Sequence, residues 1–278
     1  MFKKIASVLL LCAVMFSLVS CSKYQRLLKS GDYEAKYKAA VDYYNKKDYY
    51  RSLQLLEELI ALYRGTAKGE DVYYYYAKSN YGIGDYVTAA YHFETFTKTF
   101  PSSTRAEECA YLNAYCYYLD SPISSLDQEN TMQAIQQFQL FANHYPQSEK
   151  VADCNKLMDE LRFKLETKEF DNAKLFYNTE DYKSAITALN NVIRDYPGTG
   201  YKEECLFLIL KSSYLYARKS IDEKKLERYK AVIESYNALK EAFPDTKYLK
   251  EANDFYANSQ SGIKSLTLSG QNQTSTTN

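Results

Sequence analysis

The run YYYYAKSNYGIGDYVTAAYHFETFTKTFPSS, residues 73–103, decides the fold. After Tyr86, the residues Ala89, Phe93 and Phe96 recur at helical spacing. Phe100-Pro101 closes the segment, because proline neither donates the next backbone hydrogen bond nor leaves its predecessor comfortably helical. Gly84-Asp85 is a short polar turn that separates this segment from an earlier helical stretch. In that stretch Tyr73 to Tyr76 cannot share a face, since successive helical residues point about 100° apart. Tyr73 and Tyr76 fall with Ala77 and Asn80 toward the second helix, Tyr74 falls with Lys78 and Tyr81 on another face, and Tyr75 points away from both. The pair reads as helix, turn, helix.

The same punctuation recurs along the chain. Four of the five prolines sit in one motif: Phe100-Pro101-Ser102-Ser103, Tyr145-Pro146-Gln147-Ser148, Tyr196-Pro197-Gly198-Thr199 and Phe243-Pro244-Asp245-Thr246. Tyr63-Arg64-Gly65-Thr66 is a further copy that lacks only the proline. Counted back from the motif, Ser52, Ala89, Ala134, Ala185 and Val232 share one position; Leu56, Phe93, Phe138, Leu189 and Tyr236 share a second; Leu59, Phe96, Phe141, Val192 and Leu239 share a third. One helical face in one register, with motif spacings of 37, 45, 51 and 47, is a serial array. Tyr73, Ala77, Gly84-Asp85-Tyr86, Ala89, Phe93 and Pro101 stand in the order of a tetratricopeptide repeat, which the second unit resembles. The expected fold is all-α, a tetratricopeptide-repeat superhelix of about five helix-turn-helix units over residues 31–260, each contacting only its neighbours. A helix from about Leu249 to Ser259 is expected to cap it, and the polar stretch 261–278 reads as a disordered tail.

At the N-terminus Lys3 and Lys4 precede an apolar run from Ile5 to Val19, the layout of an export signal and too short for a convincing membrane-spanning helix. Leu18-Val19-Ser20-Cys21 resembles the bacterial lipobox, in which the peptidase cuts just before a cysteine that carries the lipid. Residues 1–20 are therefore expected to be a signal peptide, Cys21 the lipidated residue, and residues 21–30 a lipid-anchored tether. By resemblance to bacterial sorting rules, Ser22 after the cysteine implies the outer membrane, and the lack of a following acidic cluster implies its periplasmic side. The formal charge of zero provides no basic footprint for nucleic acid.

A lipobox followed by elongated tetratricopeptide repeats resembles the BamD family, lipoproteins of the outer-membrane β-barrel assembly machinery. Two stretches carry the resemblance beyond the repeats. Tyr117-Tyr118-Leu119-Asp120 is followed by an inserted loop that closes with Asp127-Gln128-Glu129 before a helix from Met132 to Tyr145. Leu161-Arg162-Phe163-Lys164-Leu165 then runs into Ala173-Lys174-Leu175-Phe176-Tyr177 as one long helix. Arg64 in place of the first proline and the extended fifth unit, Tyr214 to Tyr229, depart from the family pattern. The resemblance implies an outer-membrane protein assembly factor facing the periplasm. It would bind a BamA-like barrel subunit through units four and five, and unfolded β-barrel clients through units one to three. A lipoprotein scaffold for cell-wall or cell-division enzymes is the alternative.

Enzyme chemistry, cofactors and metals are not expected. The two histidines, His92 and His144, lie in second helices, and Gly82-Ile83-Gly84 follows no strand that would make it a phosphate loop. Cys109, Cys154 and Cys205 each fall eight residues after a motif proline, where other units place Val72 and Ala252, so they read as small packing residues, with Cys116 unassigned.

By resemblance to the tetratricopeptide pattern, a partner-binding face would be lined by the first helix of each unit. Aligned from the motif, it comprises Tyr37, Val41 and Tyr44, then Tyr74, Lys78 and Tyr81, then Tyr111, Tyr115 and Tyr118. Units four and five would add Lys156, Glu160 and Phe163, then Phe207, Lys211 and Tyr214, where the tyrosines fade. Tyrosine offers a large rigid area with a polar tip, suited to extended peptides, and Tyr74 is the principal candidate.

Overall fold

The computed structural model describes residues 23–275, with side chains as far as residue 268. The expected signal peptide, residues 1–20, and the expected lipidation site Cys21 lie outside the described residues. Among those described there is no strand. A short helical stretch, 23–28, precedes five helix pairs: α1 Tyr33–Asn45 with α2 Tyr49–Leu62, α3 Ala67–Gly82 with α4 Tyr86–Thr99, α5 Ala106–Leu119 with α6 Glu129–His144, α7 Val151–Asn178 with α8 Tyr182–Asp195, and α9 Lys202–Arg218 with α10 Asp222–Ala242. The last helix, α11, spans Leu249–Ser275.

Local chemistry repeats from pair to pair. Helices α2, α4 and α8 each start at an aspartate whose carboxylate accepts the backbone N–H three residues on: Asp48 from Arg51 at 3.3 Å, Asp85 from Thr88 at 3.1 Å and Asp181 from Ser184 at 3.2 Å. The residue before each aspartate, Lys47, Gly84 or Glu180, is left-handed, at φ 60°, 82° and 63°, which ends the first helix of its pair. Every second helix ends at the motif aromatic, Tyr63, Phe100, Tyr145, Tyr196 or Phe243, whose N–H still reaches the carbonyl four residues back. The register set by that motif predicts the core. Ser52, Ala89, Ala134, Ala185 and Val232 are all fully buried, as are Leu56, Phe93, Phe138 and Leu189. Tyr236 is half-buried and donates its hydroxyl to Asn253.

The chain divides into two compact units within α7, one reaching Pro122 and including Leu126–Leu161, the other formed by Ile123–Ser125 and the chain from Arg162 onward. In the first, Tyr24, Leu55, Leu56, Leu59 and Val72 make one cluster, and Phe93, Phe96, Phe138, Cys154 and Leu161 belong to another. In the second, Phe170, Leu189 and Cys205 share one cluster, and Leu210, Val232, Leu239 and Ala252 another.

Several boundaries differ from the sequence reading. Helix α6 begins at Glu129 rather than Met132, because the inserted loop is tied to its first turn: Asn130 donates to the Asp120 carboxylate at 2.7 Å, and the hydroxyls of Ser121 and Thr131 meet at 2.6 Å. The expected tether is not free chain, for residues 23–28 are helical and Tyr24 is 6% exposed, donating its hydroxyl to Gln54 at 2.6 Å. Nor does the last helix stop at Ser259, where a disordered tail was expected from residue 261. Ser259 is fully buried, and Gly262 lies so close to the Tyr229 ring that an added Cβ would sit 2.8 Å from it, so α10 supports α11 past that point. Gly82 meets Tyr49 in the same way, at 2.4 Å.

Candidate partner-binding face

The first helices are joined to one another by a side-chain ladder. In the first compact unit each rung starts at a tyrosine whose hydroxyl meets a carboxylate on the next first helix. Tyr37 lies within electrostatic range of Asp71, Tyr74 donates to Glu108 at 2.9 Å, and Tyr111 donates to Asp153 at 2.6 Å. A cation from the same neighbouring segment covers each ring face: Lys68 lies 4.6 Å from the Tyr37 centroid, Arg105 4.5 Å from Tyr74 and Lys150 4.3 Å from Tyr111. In the second compact unit the ring is phenylalanine and the rung is rebuilt. Phe170 stacks on Tyr201 at 4.3 Å and Phe207 on Tyr248 at 4.0 Å. The carboxylates are taken instead by lysines one helical turn on, Lys174 to Glu204 at 2.7 Å and Lys211 to Glu251 at 2.8 Å. Loss of the hydroxyl thus goes with exchange of the neighbouring segment's cation for an aromatic partner, while Lys174 and Lys211 of the same helices lie 5.4 and 5.7 Å from the Phe170 and Phe207 centroids.

A second set of links explains the last residue of the proline motif. The hydroxyls of Ser103, Ser148 and Thr199 donate to Glu70, Glu107 and Glu166 at 2.6 Å, and that of Thr246 donates to Glu203 at 2.7 Å. The same oxygens accept a backbone N–H two residues on, as Ser103 does from Arg105 at 3.0 Å. Sequence reasoning found the motif but not its clamp, whose signal is the invariable hydroxyl at the motif's fourth place.

These links also correct the alignment of the fourth unit. Lys156, Glu160 and Phe163 do not occupy the face positions; Phe170, Lys174 and Tyr177 do, by the contacts that Tyr74, Lys78 and Tyr81 set in α3. Glu70 lies six residues after Arg64, but Glu166 lies 20 after Pro146, and the difference of 20 − 6 = 14 residues is close to four turns of helix. Such an insertion nearly preserves the helical face, so it is hidden from a gapless count. Tyrosine therefore does not fade from the face: Tyr44, Tyr81, Tyr118, Tyr177 and Tyr214 hold one position in all five units.

The four consecutive tyrosines part as their helical phases require. Tyr73 and Tyr76 both pack on His92 of α4, with the Tyr73 hydroxyl 3.0 Å from Nδ1, and burial lowers the His92 pKa. Tyr75 turns to Tyr44 of α1, at 5.1 Å between centroids. Tyr74 is engaged at its hydroxyl by Glu108 and on its face by Arg105, and burial followed by the Glu108 hydrogen bond raises its pKa strongly.

Of the nine residues expected to face a partner in units one to three, carboxylates accept hydrogen bonds from Tyr74, Lys78, Tyr111 and Tyr118, the last through Glu160 at 3.0 Å, and Tyr37 lies beside the Asp71 charge. Burial raises the Tyr37 pKa to about 12, with the Asp71 charge adding to it. Tyr44, Tyr81 and Tyr115 are half-buried, and their hydroxyls have no hydrogen-bond partner among the described residues. They form one row. Tyr44 lies within electrostatic range of Lys78 and Tyr81 within that of Tyr115, while Tyr115 is stacked between Tyr111 and Tyr118 at 5.7 and 5.5 Å. Aromatic rings with unused polar tips combine apolar area with hydrogen-bonding capacity.

Cys109, Cys116, Cys154 and Cys205 are fully buried free thiols. Burial pushes Cys109, Cys116 and Cys205 up to about 12 and Cys154 up to about 11. Among the described residues no group of His, Cys, Asp and Glu is placed to hold a metal ion, and no helix is long and apolar enough to cross a membrane.

A known family covers most of this helix array. The model of the outer membrane lipoprotein family YfiO, the BamD-like lipoproteins, matches residues 30–228. The chain belongs to that family. The YfiO match runs from before α1 into α10 and so takes in all five first helices and the whole ladder except its last rung onto α11. Comparison with curated proteins gives no match. Among solved structures, the chain is similar to the TPR2AB-domain:pHSP90 complex of yeast Sti1, at 10% identity over 82% of this chain and 98% of that one, with a TM-score of 0.39. It is also similar to the P58(IPK) TPR domain, at 14% identity over 93% and 69% of the two chains, with a TM-score of 0.38.

Proposed function

We propose that this YfiO-family lipoprotein is a non-enzymatic adaptor of outer-membrane β-barrel assembly, anchored through Cys21 and facing the periplasm. Units four and five hold the periplasmic domains of a BamA-like barrel subunit, and α1, α3 and α5 receive aromatic-rich segments of unfolded β-barrel clients. The observation that carries the client reading is the row Tyr44, Tyr81 and Tyr115, rigid rings with unpartnered hydroxyls on three consecutive first helices. These three, rather than Tyr74, meet the client, because the ladder already uses both the hydroxyl and the ring face of Tyr74.

Two measurements test this. The barrel subunit should co-purify with the chain from detergent-solubilised envelopes; recovery of cell-wall hydrolases or synthases alone sinks the adaptor reading. In peptide binding, Tyr44→Ala, Tyr81→Ala and Tyr115→Ala should each weaken capture of an aromatic-rich client segment by about tenfold, the scale of a truncated interface aromatic. Tyr74→Ala should chiefly lower the melting temperature. Unchanged affinity in all three row variants removes the row from the site.

A further inference from the structure

The chain leaves its anchor with almost no slack. Only Ser22 and Lys23 separate Cys21 from Tyr24, so the buried Tyr24 lies within about 10 Å of the lipidated cysteine even with the chain fully extended. Tyr24 is fixed to the turn end of the first helix pair. Its ring meets Tyr43 edge-on at 5.6 Å, Arg51 lies 5.5 Å from its centroid, and Tyr50 is close enough to act on its hydroxyl electrostatically. Residues 43 and 51 bracket the turn that carries Lys46 and Lys47, so this turn sits beside the anchor. Lys23, Arg26, Lys46 and Lys47 are all exposed, and none is ion-paired among the described residues. Asp42, one turn before Lys46, is exposed, while Asp48 is paired with Arg51 at 3.0 Å. Tyr50, 64% exposed, stands at the same end.

We propose that this end of the first helix pair docks on the membrane that holds Cys21. Lys23, Arg26, Lys46 and Lys47 meet anionic phospholipid headgroups, and Tyr50 enters the headgroup layer. Basic side chains next to a lipid anchor add to its hold on an anionic surface, and tyrosine suits the interface because one end of its ring is apolar and the other polar. The first repeat is then a foot set on the bilayer, not a domain swinging on a tether. This inference rests on lipidation of Cys21, which belongs to the proposed function.

The chain contains no tryptophan, so Tyr50→Trp introduces a unique reporter. The mature lipidated protein carrying it would be reconstituted into phosphatidylethanolamine vesicles, with and without phosphatidylglycerol, that contain brominated lipid. Val87→Trp, at the matching place of the next second helix and 68% exposed, is the comparison. The expected result is flotation of both variants with the vesicles and at least about twofold stronger quenching at position 50 in the anionic vesicles, falling to the position-87 level when Lys46→Glu and Lys47→Glu are added. Flotation with equal quenching at the two positions overturns the docking proposal and leaves the anchor standing. Absence of flotation overturns the anchor, and the docking falls with it.

Discussion

Glu108 shows how much one residue of the ladder carries. Its carboxylate accepts from Lys78 at 2.8 Å and from the Tyr74 hydroxyl at 2.9 Å. Burial pushes its pKa up, but the Lys78 ammonium and the Tyr74 hydroxyl outweigh that, and the net shift is downward from the ordinary 4.5. A carboxylate held below its unfolded pKa contributes stability that is present above the unfolded value and lost as pH falls through the lowered one. Glu108→Gln should therefore lower the melting temperature near neutral pH and flatten its decline between about pH 6 and about pH 3, measured by circular dichroism. A decline as steep as in the parent protein shows that the rung contributes nothing. At this scale the sequence was legible for burial, since helical phase alone separates Tyr73 and Tyr76 from Tyr74. It was silent on the ladder, because the carboxylate and cation that engage Tyr74 lie 34 and 31 residues away, on a helix whose lateral placement no periodicity encodes.

The first, second and fourth helix pairs turn on a left-handed residue before an aspartate cap, and of the three residues only Gly84 suits that conformation without strain. Lys47, at φ 60°, is exposed and unpaired among the described residues, so Lys47→Gly should raise stability by about 1 kcal/mol in urea denaturation. A loss instead would mean that the greater freedom of glycine in the unfolded chain outweighs relief of strain at the turn. Gly84-Asp85 was visible in the sequence as a turn, because cap chemistry is local. The extent of α7 and α11 was not as visible. Helix α7 hides an insertion of nearly four turns that keeps its face almost unchanged. Helix α11 continues through a polar segment because Tyr229 of α10 offers Gly262 a flat ring to lie on.

At the scale of the whole molecule, the two compact units are expected to respond separately to damage, since repeat stability is largely a sum of neighbouring terms. Leu239, fully buried in the second unit, should cost about 2–5 kcal/mol as Leu239→Ala. The thiols report where that loss falls, because burial keeps all four protonated and shielded in the folded chain. In that variant Cys205 should become open to alkylation at a lower urea concentration, while Cys109, Cys116 and Cys154 of the first unit hold close to the parent midpoint, as mass spectrometry would show. Equal shifts at all four cysteines would make the array one cooperative block. The sequence by itself determined the helices, their turns, the motif that ends them and the inward face of each, because these follow from hydrogen-bonding and apolar patterns within a few turns of chain. Only the tertiary structure decided which face tyrosines are spent on the ladder, where the fourth unit's register truly falls and that Tyr24 packs on the first repeat. Those depend on which side chains meet across neighbouring helices, and spacing along one helix carries no record of that.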